Sequence, residues 1–457
     1  MNEKNFCRDK SYQGDFNVIC YKSGKLLPMQ PTKLLVTVCS FLLLVECGPA
    51  FGGTLPDTAY DRVYAGNIKS VLLYKDGWEL SYPMMMMGAG EKLVLSFDEL
   101  NRNLSEFTYA IRHCNANWTL DDLEEYEFMD TPGNKRITDR LNSFSTYVPY
   151  VHYELKFPND EWDFHKSGNY IIYVYEDGRK EPVISKRFMV NENLTGIKVT
   201  LKRPSAGEVT ANAQSLDITL DTRGTDDQNF NAEPVLNVMQ NGNWNSLELA
   251  VPSIISGGTS TEFLLDGKYA FAGTNEFRNF DIKNVKYLSP NLQYVTYLNN
   301  VFNVGLHPDK PRTFKDYFFD NDLDGKYLIK VQDGNNSNTD ADYVNVFFTL
   351  PWAEPVIDGK IYVTGALGNW RQDTTTQMTY NYKSRSYELT MLLKQGYYNY
   401  MYAMVKKGKA ADFSFIEGSH YETENDYLIM VYYHDSQKEY DHLTGLQLFN
   451  TIAANAK

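Results

Sequence analysis

Three aspartates, Asp320, Asp322 and Asp324, stand at alternate positions before a glycine in the segment DNDLDGKYLIKV. Carboxylates at this spacing can converge on one cation, which is how a calcium-binding loop begins. The twelfth position of the segment is Val331, where such a loop needs a bidentate glutamate. An Asp-Gly hairpin turn explains the same residues, and we favour it. The three aspartates remain the candidate metal ligands of the chain.

Acidic side chains and one imidazole are densest between Glu417 and Asp426, in the segment EGSHYETEND. His420 with Glu422 and Glu424 could perform acid–base chemistry, and two carboxylates at the right separation could cleave a glycoside. A polar loop that leads into the strand DYLIMVYY accounts for the same residues. We favour the loop because structural ion networks are common. The alternative is a hydrolase centred on His420.

Sulfur-containing side chains offer two further possibilities. Cys114 follows His113, and such a pair could act as a nucleophile. Because adjacent strand residues point to opposite faces, we expect a buried cysteine instead. Met84–Met87 form a run whose thioethers could bind Cu(I), but the same alternation separates them. We expect these methionines to fill the core or to form an exposed edge for a partner.

Motifs for catalysis are largely missing from the sequence. There is no H-E-x-x-H, no G-x-S-x-G, no phosphate-binding glycine loop and no C-x-x-C. The seven histidines are scattered and show no metal-ligand spacing. We therefore predict a protein that is not an enzyme and that needs no cofactor.

The composition favours β-structure and a protein partner. The chain contains 34 Tyr, 25 Phe and 6 Trp, and aromatic rings suit pleated, half-buried surfaces. Its 58 acidic and 44 basic residues give a net charge of −14. A surface of this sign repels nucleic acid and anionic lipid headgroups, so we predict that the chain binds no nucleic acid.

A secretory signal peptide is predicted within residues 1–53. The apolar stretch from Leu34 to Val45 is too short to span a bilayer, follows Lys33, and precedes small residues up to Gly53. Counting from Met29 gives a normal short basic region, so we take Met29 as the start and Gly52 as the last residue removed. Export from the cytoplasm follows.

A lipid anchor at Cys47 is the alternative to simple cleavage. Cys47 has a hydrophobic run before it, but Glu46 is a poor fit to the small residue that lipoprotein signals prefer. Cys114 is the one cysteine that surely remains after cleavage. A single cysteine cannot close an internal disulfide, so burial and sheet hydrogen bonds must hold the fold.

The remaining sequence predicts an all-β fold with little helix, built of tandem immunoglobulin-like and early-set β-sandwich domains. Runs of four to eight apolar and aromatic residues alternate with Gly, Asn, Asp and Pro turns. Breaks in this pattern place the domains at residues 54–193, 194–307 and 308–457. The run from Tyr170 to Tyr175 is apolar on both faces, which indicates a central strand.

Residues 68–190 contain the ordered segments NIKSVLLYKDGWELSYPMMMMGAGEKLVLSFDEL, YAIRHCNANWTLDDL, SFSTYVPYVHYELKFPND and KSGNYIIYVYEDGRKEPVISKRFMV. This sequence resembles the amino-terminal domain of the plug protein of the type IX secretion system, found in the Bacteroidetes. Later segments such as DADYVNVFFTL and LLKQGYYNYMY continue the resemblance, which covers nearly everything after about Gly66.

The resemblance implies a role rather than a reaction. It implies a periplasmic protein that binds the giant outer-membrane β-barrel translocon of the type IX system and seals its periplasmic opening. Association with the outer membrane would then pass through this partner or, in the alternative above, through a lipid on Cys47. No residues that contact the partner can be named from the sequence.

Domain three suggests a different class of function. IYVTGALGNW followed by GYYNYMYAMV resembles early-set modules that include starch- and glycogen-binding domains. Trp370 occupies the place where such relatives often present an aromatic platform for a sugar. We expect instead that the indole packs across its own sheet, because large aromatic side chains are usually well buried. An exported glycan-binding protein that uses Trp370 is the alternative to the plug.

Overall fold

The computed structural model of the protein describes residues 58–452, apart from 102, 131–134, 205–211, 229–232 and 258. The predicted signal peptide, the start at Met29 and Cys47 lie outside the described residues.

The first part of the described chain forms two sheets. Their strands are β1 (Arg62–Val63), β2 (Ile68–Lys75), β3 (Met84–Met86), β4 (Leu93–Leu100), β5 (Phe107–Cys114), β6 (Arg136–Ile137), β7 (Asp139–Asn142), β8 (Tyr150–Phe157), β9 (Gly168–Glu176) and β10 (Ile184–Asn191). One sheet has the order β1-β10-β9-β5-β6, with β3 parallel to β10, and the other has the order β2-β4-β8-β7. The prediction of a central strand is confirmed, because β9 lies between β10 and β5 and is buried on both faces.

Aromatic packing fills the space between these two sheets. The rings of Phe97 and Tyr153 stack at 5.1 Å, and Phe107 meets both edge-on. Tyr170 on β9 faces the same core, whereas its neighbour Ile171 faces a second apolar cluster on the outer side of the sheet. The alternation of side chains along β9 therefore gives this sandwich two buried faces.

The later strands form four further sheets. Their bounds are β11 (Gly196–Lys202), β12 (Ala213–Asp221), β13 (Val235–Gln240), β14 (Glu248–Val251), β15 (Ser253–Gly257), β16 (Ser260–Leu265), β17 (Phe271–Ala272), β18 (Arg278–Asp281), β19 (Leu292–Leu298), β20 (Val301–Leu306), β21 (Tyr327–Ile329), β22 (Tyr343–Pro351), β23 (Gly359–Thr364), β24 (Thr379–Asn381), β25 (Ser386–Lys394), β26 (Gly396–Lys406), β27 (Ala411–Asp412), β28 (Asp426–Asp435) and β29 (Tyr440–Asn450). Their orders are β11-β12-β16-β15 with β17 on β12, β14-β13-β28-β29, β18-β26-β21 with β23 and β27 on β26, and β19-β20-β22-β25-β24.

Strand pairing crosses the domain boundary predicted at residue 307. β13 pairs with β28, β18 with β26, and β20 with β22, so each of three sheets draws strands from both sides of that position. The boundary was placed at a break in the sequence pattern of strands and turns. Hydrogen bonds between strands far apart in sequence join the chain across that break. The chain from 194 onward is therefore an interleaved set of sheets, and the division into 194–307 and 308–457 needs correction.

Helical structure is sparse in the described residues, as predicted. The α-helices are α1 (Glu125–Phe128), α2 (Ser337–Asp340) and α3 (Ser414–Glu417), and short 3-10 turns occur at Arg223–Gln228, Trp244–Ser246, Gly267–Tyr269 and Ala366–Gly368. None of the helices in this part of the chain is long and apolar enough to cross a membrane. The all-β class of the fold is confirmed.

Candidate functional site

The three candidate metal ligands form a turn instead of a cation site. The Asp322 carboxylate accepts hydrogen bonds from the backbone N–H groups of Phe277 at 2.5 Å and Asp324 at 2.6 Å. Asp324 and Gly325 both have positive φ, 50° and 78°, as an Asp-Gly turn requires. Among the described residues no three His, Cys, Asp or Glu side chains gather to hold a metal ion. The oxygens of Asp320, Asp322 and Asp324 therefore do not converge.

Burial changes the protonation of this turn. Burial raises the pKa of Asp322 to about 7, and burial together with the nearby Asp426 carboxylate raises the pKa of Asp324 to about 9. Asp426 itself pairs with Lys326 at 3.1 Å and accepts a hydrogen bond from Tyr82. Asp324 thus holds its proton at neutral pH, so the turn carries less negative charge than its sequence indicates.

Trp370 is buried, with 6% of its surface exposed. Its indole meets the ring of Phe277 edge-on at 6.0 Å, and its backbone carbonyl accepts a hydrogen bond from Asn245. A cavity of about 130 Å³ lies between Trp370 and Trp244. The structure therefore contradicts the use of Trp370 as a sugar platform, because the indole packs inward.

The acidic segment around His420 separates into unrelated contacts. Glu417 is fully buried between Arg278 and Arg312, with N···O distances of 3.0 Å and 2.7 Å. Glu422 pairs with Arg203 instead. The two glutamates hold different arginines, and the ring of His420 lies 5.6 Å from that of Tyr317 in a tilted arrangement. These residues tie loops to sheets.

Cys114 and the methionine run are also structural. Cys114 is completely buried, and burial raises the pKa of its thiol well above the ordinary value. The imidazole of His113 lies on the other face of β5, where it bonds Asp121 and the Ser167 carbonyl. In β3, Met85 belongs to the core between the first two sheets, while Met84 packs on the outer cluster. The thioethers therefore point apart.

The sequence did not reveal one buried polar group that joins distant strands. Asp98 on β4 bonds His152 on β8 at 2.7 Å, the hydroxyl of Tyr343 on β22 at 2.7 Å, and Lys394 on β25 at 2.6 Å. Tyr343 also bonds Ser70 on β2 at 2.7 Å. We call these five residues the junction network. It joins the first sandwich to strands that come about 200 to 300 positions later.

Charge inside the junction network is paired. Asp98 is 1% exposed and Lys394 2% exposed. Burial favours the neutral carboxyl, but Lys394 and His152 outweigh it and hold the pKa of Asp98 below its ordinary value. Burial lowers the pKa of Lys394, and Asp98 opposes that shift. Neither charge has access to bulk water, so each depends on the other.

Other contacts tie the first sandwich to later strands on its outer face. Arg187 on β10 bonds Asp61, and its guanidinium lies 3.7 Å from the ring centre of Trp244. On the same side, the Tyr432 hydroxyl of β28 donates to Asn169 at 2.8 Å. The first sandwich is therefore held to the later sheets through buried polar contacts on more than one side.

Comparison with known proteins addresses the identity of this first sandwich. Residues 68–192 match the family described as type 9 secretion system plug protein 1st domain. The chain therefore carries, at residues 68–192, a domain of the type IX secretion system plug protein family. We call residues 68–192 the plug domain.

Solved structures extend the comparison beyond the plug domain. A crystal structure of a hypothetical protein from Parabacteroides merdae is 29% identical and superposes with a TM-score of 0.81, over 86% of this chain and 99% of that one. No curated protein matches the chain. The later sheets therefore have the same arrangement in this similar protein, and the fold after residue 193 is shared beyond the plug domain.

The family and the fold together indicate what kind of protein this is. The plug domain indicates a role connected with type IX secretion and a location in the cell envelope. The all-β architecture and the plug domain are those of a structural protein. Asp98 and His152 lie in the plug domain and Tyr343 and Lys394 outside it, so the junction network fixes the plug domain to the rest of the chain.

Proposed function

We propose that the protein binds the outer-membrane β-barrel translocon of the type IX secretion system from the periplasmic side and seals its periplasmic opening. The observation that carries this proposal is the match of residues 68–192 to the first domain of the plug protein. The protein acts by occupying space and by presenting a complementary surface, so it needs neither a nucleophile nor a cofactor.

The physical demands of sealing a pore agree with the contacts described above. A barrel much wider than those that hold a small ligand leaves an aqueous channel, and an open channel would leak. A plug must resist deformation and bury a sizeable interface. The junction network and the Arg187 contacts supply stiffness, because they hold the plug domain against the later sheets through buried, paired charges.

The location follows from the same proposal. A cleaved signal peptide carries the chain to the periplasm, and the translocon, rather than a lipid on Cys47, holds it at the outer membrane. The net charge of −14 supports this route, since it disfavours direct contact with anionic headgroups and with nucleic acid.

Isolation of the translocon tests the proposal. A carboxy-terminally tagged chain is produced in its own bacterium, and outer-membrane complexes are solubilised in mild detergent. We expect the giant barrel of the type IX system to co-isolate with the tagged protein. Deletion of the gene should also make the outer membrane permeable to a large antibiotic such as vancomycin. Absence of the barrel from the complexes, together with an intact permeability barrier in the deletion strain, would refute the proposal.

A further inference from the structure

The strand β19 lies at the end of its sheet and carries no charged side chain, although Pro290 precedes it and its pairing with β20 has a bulge between Leu292 and Tyr294. It pairs with β20 on one side, and among the described residues no strand pairs with its other side. A free edge presents a row of unpaired N–H and C=O groups that can accept another strand. Proteins normally block such rows with charges, prolines or very short strands.

No charged side chain blocks β19. Residues 287–306 contain no Asp, Glu, Lys or Arg, in a chain where 22% of residues are charged. The strand ends in a tight turn at Asn299 and Asn300, which both have positive φ, so the hairpin is well formed up to its tip. Strand edge and turn together form a continuous uncharged surface.

Two other edges carry the charge that β19 lacks, whereas the edge strand β15 is uncharged like β19. At the opposite end of the same sheet, β24 has three residues and is followed by Lys383 and Arg385. The edge strand β11 is as long as β19, but it carries Lys198 and Lys202.

The plug domain contributes to the surface beside β19. The ring of Tyr147 meets the rings of Tyr297 at 4.7 Å and Phe302 at 5.3 Å. Large parts of the neighbouring apolar side chains are exposed: Phe144 by 73%, Tyr147 by 52%, Tyr297 by 48% and Leu298 by 63%. An aromatic surface of this kind, next to a free backbone edge, is typical of sites where an extended segment binds.

We propose that β19 binds an extended, uncharged segment of the translocon, which adds as a further strand of this sheet and covers Tyr147, Tyr297 and Leu298. The free edge determines the kind of segment that binds, because only an extended backbone can form hydrogen bonds with a row of strand N–H and C=O groups. A second copy of the chain is disfavoured because each copy carries a net charge of −14. The inference rests on the proposed function and names the surface through which it acts.

Two lysine variants test the proposal on the purified full chain and the detergent-solubilised translocon. Thr296→Lys and Leu298→Lys place on β19 the kind of charge that β11 carries. We expect each to weaken binding tenfold or more. The matched control is Tyr382→Lys, beside β24, where the tyrosine is 77% exposed; we expect its affinity to equal that of the wild type. Melting temperatures of all three variants verify that they fold.

Hydrogen exchange then distinguishes strand addition from side-chain contact. The amides of residues 292–298 that face away from β20 should exchange more slowly in the complex than in the free chain. Wild-type affinity in both lysine variants, or unchanged exchange at these amides in a formed complex, would overturn the inference and leave the plug function standing.

Two further results would identify a different cause: failure of the wild-type chain to bind, and pairing of the chain with itself. A wild-type chain that does not bind the translocon at all would refute the proposed function and this inference together. Sedimentation at the same concentrations identifies self-pairing. A dimer that the β19 lysines abolish would show that a second copy occupies the edge, which would overturn the assignment to the translocon.

Discussion

Replacing Lys394 with methionine removes one charge from the junction network and keeps most of the side-chain volume. In the native protein the Lys394 ammonium lies 2.6 Å from Asp98 and also donates to the Asn338 carbonyl at 2.8 Å. Lys394→Met leaves the Asp98 carboxylate buried with hydrogen bonds from His152 and Tyr343 but without its cation. Breaking a buried pair in this way costs about 3–5 kcal/mol of folding free energy.

Protonation of Asp98 sets an upper limit to this cost. A carboxyl group with the ordinary pKa of 3.8 can be kept neutral at pH 7 for about 4 kcal/mol, since each pH unit is worth about 1.4 kcal/mol. At pH 5 the same protonation costs about 2 kcal/mol. The loss of stability in Lys394→Met should therefore be about twice as large at pH 7 as at pH 5.

Urea unfolding followed by tryptophan fluorescence measures this difference. The control is Lys92→Met, because the pair between Lys92 and Asp160 is at the surface, with Asp160 95% exposed, and should contribute little to stability. Asp98→Asn combined with Lys394→Met should be less destabilised than Lys394→Met alone, since no unpaired charge remains. The reasoning fails if Lys394→Met is no less stable than Lys92→Met, or if its loss is the same at both pH values.

Three further changes have defined outcomes. Because the pKa of Asp324 is raised to about 9, the folded chain holds a proton that the unfolded chain releases above about pH 4, so the stability of the fold decreases as the pH rises from about 4 to about 9. Asp324→Asn should therefore raise the melting temperature at pH 8 and leave it nearly unchanged at pH 4. An equal rise at both pH values would contradict this. Glu417→Gln leaves Arg278 and Arg312 without their buried carboxylate and should cost about 3 kcal/mol in urea unfolding; a loss below 1 kcal/mol would count against it. Cys114 should resist a maleimide in native buffer and react in denaturant, as peptide mass spectrometry can show, because the thiol is fully buried; rapid native labelling would disprove that burial.

The sequence predicted strands and turns well where the signal for them comes from neighbouring residues. The two-sided apolar run from Tyr170 to Tyr175 identified β9 as a central strand because side-chain direction alternates along any strand. The Asp-Gly pair at Asp324 and Gly325 identified a turn because few residues tolerate positive φ. Both features depend on neighbours in sequence, which a single sequence displays.

Contacts between distant strands were beyond this kind of prediction. Asp98 and Lys394 are 296 positions apart, and nothing in either strand segment indicates the partner of the other. The boundary at residue 307 was wrong for the same reason, because β13 finds its partner in β28 and not in a neighbour. The one available signal was a charged residue within a run that otherwise reads as core, as in LVLSFDEL.

The uncharged run at residues 287–306 is visible in the sequence, but its importance comes from topology. The same residues in a central strand would be ordinary core, and only the position of β19 at the end of its sheet makes them a surface. That surface also depends on the contact between the plug domain and the later sheets. The backbone N–H groups of Tyr147 and Val148 donate to the Asp342 carboxylate, next to Tyr343 of the junction network. A plug domain separated from the later strands would keep Tyr147 but lose both Asp342 and the strand against which its ring packs. The binding surface therefore belongs to the whole chain, although the family is recognised from the plug domain alone.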